Sequence, residues 1–161
     1  MTVEIVIAFL MRLGLVALFL PFSAYYVLVD FAGARTHAMT LGVSRTVASL
    51  MMLAALFIEI VMSLGVLSGV ADRFAAVVLA VFCVMTALLY KQFWKTGDFA
   101  FVGTSRGLGI FWDFWKNIAL AAAFLMVAFG TDAQSIGEGI EAFFANPFAS
   151  SNPYALSRAG G

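Results

Sequence analysis

Long apolar runs separated by short polar stretches dominate the pattern of this chain. Four of them are close to the roughly 20 residues that a helix needs to cross about 30 Å of hydrocarbon. They cover residues 5–29, 46–70, 73–94 and 111–131, to within a few positions. Each run is apolar on every face, whereas the strands of a membrane barrel alternate in polarity. Because lipid offers the backbone no hydrogen bonds, the pattern predicts four transmembrane helices.

The first run stands where a signal sequence would stand, but its pattern favours a retained helix. Glu4 precedes it instead of a basic stretch, the run is longer than the apolar part of a signal peptide, and no small-residue cleavage site closes it. The predicted fold class is therefore an all-α, integral membrane four-helix bundle. Residues 1–131 form its transmembrane domain.

The pattern changes after residue 131. Residues 132–161 begin with apolar side chains at helical spacing and polar ones elsewhere around the helix, namely Ile136, Ile140, Phe143 and Phe144 against Gln134, Glu138 and Glu141. An amphipathic segment of this kind lies flat in the membrane interface or against a partner. Gly137 and Gly139 weaken it as an independent helix by about 1 kcal/mol each. We expect an interfacial or partner-binding segment that ends in an irregular tail.

The composition supports a membrane location and narrows the classes of function. Hydrophobic residues make up 63% of the 161 residues and charged residues 11%, against roughly 25% charged residues in soluble domains. The formal net charge is zero, which argues against a nucleic-acid partner. Membrane lipids are the partners that this composition requires. Cys83 is the single cysteine, so an intrachain disulfide is impossible.

The distribution of basic residues predicts the orientation. Four spans place both termini on one side, together with the tight turn "SGVADR". That side carries Arg73 and Arg158, whereas the two longer loops carry six basic residues: Arg35, Arg45, Lys91, Lys95, Arg106 and Lys116. Basic residues concentrate in cytoplasmic loops. We therefore expect a multi-pass protein of a prokaryotic cytoplasmic membrane, with both termini on the non-cytoplasmic side.

Arg12 and Glu59 are charged residues that fall inside predicted spans. At about 1.5 Å per residue, Arg12 lies about 10 Å and Glu59 about 20 Å from the face that bears the N-terminus. A central charge costs roughly 2.5–3.5 kcal/mol on insertion scales. The main hypothesis is that the two residues form an ion pair joining spans one and two. The alternatives are a pocket for a polar headgroup, a quinone or a proton path, and separate solvation with Glu59 protonated.

His37 is the only histidine of the chain. A haem held by two histidines of this chain is excluded, as is a copper or non-haem iron centre that needs several imidazoles. No Ser-His-Asp set, no HExxH and no dinucleotide-binding glycine pattern is present in the required context. We predict no metal site, no catalytic residue and no cofactor bound by this chain alone. A quinone or a lipid at an interface is the candidate ligand, and His37 is expected to be a loop residue.

The segment "FWDFWKN" at residues 111–117 combines aromatic and charged side chains at the start of the last span. It predicts anchors at the membrane interface, where aromatic rings sit at headgroup level: Trp112, Asp113, Trp115, Lys116 and Asn117. Asp113 and Lys116 are three apart and share a helix face. Asp113 is expected in the first helical turn, where the helix dipole favours an acid. The preceding "GTSRGLG" is interpreted as a flexible connection, not an anion-binding loop.

Several segments occur in the order of one known family. "FWKNIALAAAFLMV" is similar to the start of that family's last helix, and "KQFW" to the end of its third. Earlier positions that fit are Arg12, Gly14 and Phe19 in "MRLGLVALFLPF", then Leu41, Gly42, Val43, Glu59, Gly65 and Arg73. Over about residues 8–130 the chain resembles the DoxX-like four-helix membrane proteins, a family related to the small subunit of archaeal terminal quinol oxidase.

The chain also departs from the family's pattern at two places. Many relatives have a glycine and a lysine late in helix one, where this chain has Pro21 and Tyr25–Tyr26. A histidine often found near the end of helix three is replaced around Tyr90–Gln92. These departures argue against quinol chemistry carried out by this chain itself.

The resemblance implies an accessory, non-catalytic subunit of a respiratory or other energy-converting oxidoreductase. Such a subunit packs beside larger subunits of a membrane complex and shapes a quinone or lipid site, with Arg12 and Glu59 as the residues nearest the headgroup. The first alternative is a quinol-binding oxidoreductase subunit. The second is a small transporter or channel that forms a homo-oligomer around its buried charges.

Overall fold

The computed structural model describes residues 2–155, and every regular element within that range is helical. The elements are α1 (Val3–Val29), α2 (Phe31–Met39), α3 (Arg45–Ser68), α4 (Asp72–Tyr90), α5 (Arg106–Phe129) and α6 (Ala133–Ala145). A short 3₁₀ turn, Phe93–Lys95, follows α4. Helices α1, α3, α4 with the turn after it, and α5 are long and apolar enough to cross a membrane. The predicted fold class is confirmed.

The four long helices alternate in direction, so the molecule has two distinct ends. We call the end with the start of α1, the turn between α3 and α4, and the C-terminal segment the terminal face. The opposite end, with residues 30–44 and 91–105, is the loop face. Helices α4 and α5 form the most extensive pair, and α2 folds back against α3.

Small residues along α4 allow this close packing. Ala76, Ala80, Cys83 and Ala87 are all buried and follow one another along one helix face. At the crossing of α3 and α4, a Cβ atom added to Gly65 would lie 2.9 Å from the Cβ of Ala75. Close backbone contact at small residues is how helices associate in lipid, where no hydrophobic force drives them together. The larger core side chains that fill the remaining space are Val16, Val66, Leu79 and Phe124.

The outside of the bundle is apolar. Large side chains such as Met11, Phe22, Leu50 and Val81 are more than half exposed. In water, an apolar surface this extensive would mark an interaction site or drive aggregation. In a bilayer it is the expected contact surface with the acyl chains.

Two of the long helices contain a π-helical segment. In α1 the segment is Leu18–Ser23, and in α3 it is Ile58–Met62. Pro21 explains the first, since proline lacks an N–H and cannot bond to the carbonyl four residues earlier. The second contains no proline. Such segments are rare and are frequently found at functional sites.

The C-terminal segment packs back onto the bundle. Asp132 and Ser135 form a reciprocal capping box that starts α6. The ring of Phe143 contacts that of Phe129 edge-on at 5.8 Å, and Phe148 contacts Phe74 at 4.8 Å. The predicted amphipathic helix is therefore present, and its chain continues in irregular form to residue 155. The remainder of the predicted tail, including Arg158, lies outside the described residues.

The connection between α4 and α5 is packed by an aromatic cluster. Phe93 contacts four rings of this cluster at centroid distances of 5.0–5.7 Å, namely Trp94, Phe99, Phe111 and Phe114. Edge-to-face and tilted pairs of this kind add to the burial of the rings themselves. The aromatic cluster thus ties residues 93–101 to the early turns of α5, and residues 106–109 of the predicted flexible connection are helical instead.

Helix α5 begins at Arg106, earlier than the predicted span, which changes the role expected for Asp113. Asp98 accepts hydrogen bonds from the backbone N–H groups of Arg106 and Gly107, at 2.9 and 3.0 Å. A hydrogen bond from the Thr96 side chain and these two amides lower the pKa of Asp98. The acid at the positive end of the helix dipole is therefore Asp98. The prediction that Asp113 lies in the first turn was wrong.

Candidate functional site

The structure contains two buried acids between its helices, and they have different surroundings. Asp72, the first residue of α4, is 0% exposed, and Glu59 in α3 is 5% exposed. Asp72 lies towards the terminal face and Glu59 deeper in the bundle. Each acid defines a polar cluster in an apolar molecule.

Arg12 pairs with Asp72. Its Nη1 atom lies 2.8 Å from Asp72 Oδ2 and also donates a 2.7 Å hydrogen bond to the Val66 carbonyl. The predicted ion pair between Arg12 and Glu59 was wrong: across residues 2–155, Asp72 is the only acid that Arg12 contacts within 4.0 Å.

The depth of the two acids in the bundle explains why Arg12 pairs with Asp72 and not with Glu59. Arg12 lies level with Val66, to which it bonds, whereas Glu59 is seven residues earlier in α3, about 10 Å further into the membrane. Long basic side chains extend towards the nearer water interface. Asp72 follows the tight turn at that interface. It therefore lies closer to the guanidinium than Glu59 does.

The C-terminal segment completes the cluster around Asp72. The Ser151 backbone N–H donates to Asp72 Oδ1 at 2.8 Å and its hydroxyl donates to Oδ2 at 2.5 Å. Arg12 Nη2 donates to the same hydroxyl at 3.3 Å. The Tyr154 hydroxyl donates to the Leu67 carbonyl. We call Arg12, Asp72 and Ser151 the clasp, because it ties α1, α4 and the C-terminal segment together.

Glu59 has only part of its hydrogen-bonding capacity satisfied. Its Oε1 atom accepts a 2.7 Å hydrogen bond from the hydroxyl of Ser23. Its Oε2 atom is buried and has no hydrogen-bond partner among the described residues. Glu59 and Ser23 each lie in one of the two π-helical segments. Both departures from α-helical geometry thus meet at this hydrogen bond.

An aromatic pair lies beside Glu59. The ring of His37, from α2, is stacked on the ring of Tyr90, at the end of α4, with centroids 5.0 Å apart. The Tyr90 hydroxyl is buried and makes no hydrogen bond within residues 2–155. Buried polar atoms are nearly always paired, so each exception calls for an explanation. A ligand that hydrogen-bonds to Glu59 and Tyr90 would provide one.

Two cavities meet at these residues. Cavity A has a volume of about 440 Å³ and cavity B of about 380 Å³. Both are lined by the same central residues, Ser23, His37, Glu59, Phe82, Thr86 and Tyr90. Cavity B is otherwise apolar, with Met51, Ile58 and Leu89 among its lining residues. Ligand sites in proteins have volumes of about 300–1,000 Å³ and are mostly apolar with a few polar groups, as these cavities are.

Cavity A extends to three of the predicted anchor residues on α5. Asp113, Lys116 and Asn117 line it together with Lys91 from the end of α4. Asp113 lies 3.2 Å from the ammonium group of Lys116 and 3.6 Å from that of Lys91. The other two predicted anchors, Trp112 and Trp115, are about half exposed and line neither cavity. Residues 111–117 thus divide into two outward tryptophans and polar side chains that border cavity A, of which Lys116 remains mostly exposed.

Three residues of this site were not identified from the sequence. His37 was expected to be a loop residue, Tyr90 to mark a departure from the family pattern, and Ser23 was not singled out. Among the residues close to these three in sequence, only Pro21 gives an indication of the site. A proline inside a span predicts disturbed helix geometry. The fold of α2 against α3, which brings His37 to Glu59, has no such signal.

The site brings hydrogen-bonding side chains together but, within residues 2–155, has no cluster of metal-binding side chains. Within the described residues, no three of the His, Cys, Asp and Glu side chains are grouped closely enough to hold a metal ion. The groups that meet instead are a carboxyl, a phenol, an imidazole and hydroxyls, beside the ring of Phe82. They suit a planar ligand whose rim carries hydrogen-bonding oxygens.

The fold and the site together define a four-span membrane protein with a ligand-sized polar site between its helices. The chain belongs to the DoxX family, whose family model matches residues 7–92, more than half of the sequence. The matched region contains both buried acids, Arg12, Ser23 and the stacked pair His37 and Tyr90. No curated protein and no solved structure matches the chain. Helices α5 and α6 lie beyond the matched residues.

Proposed function

We propose that this DoxX-family protein binds a quinone-type ring at Glu59 and serves as an accessory, non-catalytic subunit of a membrane oxidoreductase. The quinone would be held between the helices while a larger partner subunit carries the redox centre. We also propose that the protein resides in a prokaryotic cytoplasmic membrane, with its loop face towards the cytoplasm and its termini outside. Six basic residues lie in the loops and adjoining helical turns towards the loop face and support this orientation.

The observation that carries the proposal is the pair of unsatisfied oxygens at the junction of the two cavities. A quinone offers carbonyl oxygens that accept hydrogen bonds, and a quinol offers hydroxyls that donate them. The Tyr90 hydroxyl matches the first and Glu59 Oε2 matches the second. Wherever neither water nor a ligand reaches these buried atoms, leaving them unpaired costs about 1–3 kcal/mol each. A bound headgroup would remove that cost.

The two cavities differ in their lining and would hold different parts of a quinone. Cavity B is lined by apolar residues from α1, α2, α3 and α4, which suits the ring and the first units of an isoprenoid chain. The stacked rings of His37 and Tyr90 and the ring of Phe82 provide flat surfaces beside the polar atoms. A lipid acyl chain could occupy cavity B equally well, but it would leave Glu59 Oε2 and Tyr90 without partners.

The accessory role is supported by the small number of residues in this chain that could bind a redox centre. One histidine and one cysteine cannot hold a bis-histidine haem or an iron–sulfur cluster. Electrons taken from or given to a quinone would therefore pass to a partner that supplies the acceptor or donor. The polar site would position the ring for that partner.

Binding can be tested directly with short-chain quinones. We expect a soluble benzoquinone or naphthoquinone to bind the detergent-solubilised protein, and calorimetric titration to show about tenfold weaker binding for Glu59→Gln and for Tyr90→Phe. The matched control is Ser63→Ala. Ser63 is buried in the same helix as Glu59, its hydroxyl lacks a partner within the described residues, and it lines neither cavity. Equal affinity in all variants would contradict the proposed site.

The accessory role requires a separate experiment. Purification from native membranes in mild detergent should yield a complex in which this chain co-migrates with subunits that carry haem, flavin or iron–sulfur absorbance. A homo-oligomer without such subunits would contradict the role and favour the transporter or channel. Such a result would leave the quinone measurement unaffected.

A second candidate is that the chain itself acts in quinol oxidation. The presence of Glu59 and His37 in the same site favours it, since a carboxylate and an imidazole can accept the two protons of a quinol. If Glu59 is a catalytic residue, Glu59→Gln abolishes quinol turnover by the assembled complex at saturating quinol. If it only helps to bind the ring, turnover is restored when the quinol concentration is raised.

A further inference from the structure

Cavity A links the deepest acid of the protein to its loop face. At one end it contacts Glu59 and Ser23, and at the other it contacts Lys91, Asp113 and Lys116. The charged end lies where α4 ends and in the early turns of α5, next to the aromatic cluster of the loop face. The polar groups therefore continue from the membrane surface to mid-depth along one cavity.

Between Glu59 and the terminal face, apolar side chains are closely packed. Val16, Val66, Leu79 and Phe124 are completely buried and belong to one apolar cluster on the other side of Glu59. Beyond them the clasp joins α1, α4 and the C-terminal segment. The cavity that Arg12 lines, with Leu15 and Pro153, shares no residue with cavity A. Glu59 thus faces a polar cavity on one side and a packed core on the other.

We infer that cavity A is a water-filled inlet that exchanges protons between Glu59 and the aqueous phase at the loop face only. The inference deepens the proposed function, on which it rests for the identity of the substrate. Oxidation of a quinol to a quinone releases two electrons and two protons. The electrons would pass to the redox centre of the partner oxidoreductase, and the protons need a route to water that avoids the lipid.

The polar groups that line cavity A together with Glu59 can form such a route. They are the hydroxyl of Ser23 on α1, the imidazole of His37 on α2, Thr86 and Tyr90 on α4, and Asn117 on α5. Further out, Asp113 sits between Lys91 and Lys116. Charged and polar side chains inside a membrane protein commonly line water-filled cavities and proton relays.

Substituted cysteines test whether water enters cavity A. Cys83 is the only cysteine of the chain and is buried, so Cys83→Ala gives a background without thiols. In that background, Leu120→Cys places a thiol in cavity A, one turn deeper than Asn117. A charged, membrane-impermeant methanethiosulfonate reagent is then added to sealed vesicles from either face. The matched control is Leu125→Cys, which lies on the same helix, faces outward and lines neither cavity.

We expect Leu120→Cys to react from the loop face at least tenfold faster than Leu125→Cys and to show no reaction from the terminal face. Thr86→Cys, at the junction of the cavities, should behave in the same way and replaces Leu120→Cys if that variant does not fold. Reaction from the terminal face, or no difference from the control, would overturn the inference. The reagent needs no quinone, so failed quinone binding with successful labelling would affect the proposed function alone.

Proton exchange needs its own measurement, because water could stop short of Glu59. In acidic buffer, the infrared carbonyl band of the protonated Glu59 carboxyl can be identified by its absence in Glu59→Gln. On transfer to D₂O, we expect this band to shift much faster than the amide bands of the packed core exchange. A carboxyl band that stays unshifted while Leu120→Cys reacts would contradict the proton route.

Discussion

Asp72 and Glu59 are both acids buried among apolar helices, yet their hydrogen bonds differ completely. Both oxygens of Asp72 are engaged, with a guanidinium, a hydroxyl and a backbone amide as partners. Glu59 has one partner, Ser23, and one oxygen without any among the described residues. The first acid joins three parts of the chain. The second lies open to two cavities.

This difference separates a structural role from a binding role. A buried charge is tolerated when a partner and additional hydrogen bonds satisfy it, and its removal then breaks the structure. A buried polar atom without a partner is destabilising, so it persists when something else makes use of it. We therefore expect substitutions of the two acids to have opposite profiles, with stability affected at Asp72 and ligand binding at Glu59.

The largest effect is expected at the clasp. Asp72→Ala leaves the Arg12 guanidinium without its acid in a largely buried position, and breaking a buried pair in this way costs about 3–5 kcal/mol. Thermal unfolding in detergent should show this loss of stability. Limited proteolysis should also show earlier cleavage after α6, because Ser151 loses its acceptors.

The double variant Arg12→Met with Asp72→Leu sharpens this test. Replacing both members of a buried pair by apolar residues can be close to neutral, so the double variant should be more stable than Asp72→Ala. Fully additive losses would show that Arg12 and Asp72 act independently. Combining Arg12→Met with Glu59→Gln serves as the control, for which we expect no coupling.

A smaller loss is expected from Ser151→Ala. The hydroxyl donates to Asp72 and accepts from Arg12, whereas the backbone N–H bond to Asp72 remains. Loss of a hydrogen bond to a charged group costs about 1.5–3 kcal/mol. The unfolding temperature should fall between those of the wild type and Asp72→Ala. Ser150→Ala, one residue earlier and without a bond to the clasp, is the control.

The third prediction concerns Glu59 itself. Glu59→Gln keeps an acceptor for Ser23 and replaces the carboxyl group by an uncharged amide of similar size. We expect the free energy of unfolding to change by no more than about 1 kcal/mol, while quinone affinity falls about tenfold as stated above. A destabilisation as large as that of Asp72→Ala would show that Glu59, like Asp72, has a structural role. It would contradict the proposed difference between the two acids.

The smallest effect is expected for a third acid, Asp98, which lies outside the spans. The Thr96 hydroxyl and the amides of Arg106 and Gly107 lower its pKa below the usual 3.8. The stability that Asp98 adds is therefore fully present above that value and is lost as the pH falls through the lowered pKa. Unfolding temperatures of the wild type and Asp98→Asn should differ slightly near neutral pH and converge in acid. A constant difference would contradict this assignment.

The sequence predicts the helices of this protein well and the contacts of its charges poorly. Long apolar runs can form only helices in lipid, so four spans follow from the pattern. Arg12 and Glu59 stand out because charges are rare in such runs. Their pairing was mispredicted because Asp72 was assigned to a turn, although it directly precedes an apolar run. The prediction also extended the guanidinium towards the deeper Glu59, whereas long basic side chains extend towards the nearer water interface, where Asp72 lies.

The rest of the site depends on tertiary structure. His37 reaches Glu59 only because α2 folds back, and no periodicity in residues 31–39 predicts that. Pro21 was noted as a departure from the family pattern, but its effect on the hydrogen bonding of α1 becomes evident only in the folded chain. Glu59 and Ser23 are then brought to bonding distance by two helices that both depart from α-helical geometry.

The clasp has a consequence for how the protein is made. Arg12 leaves the ribosome before both of its partners, because the carboxylate follows about sixty residues later and the hydroxyl 139 residues later. The ion pair with Asp72 can therefore form before Ser151 is available, and the complete clasp can form only after Ser151 has been synthesised. A chain truncated before Ser151 would keep the Arg12–Asp72 ion pair but lose the hydrogen bonds that Ser151 makes with both residues, so its first helix would be held less firmly.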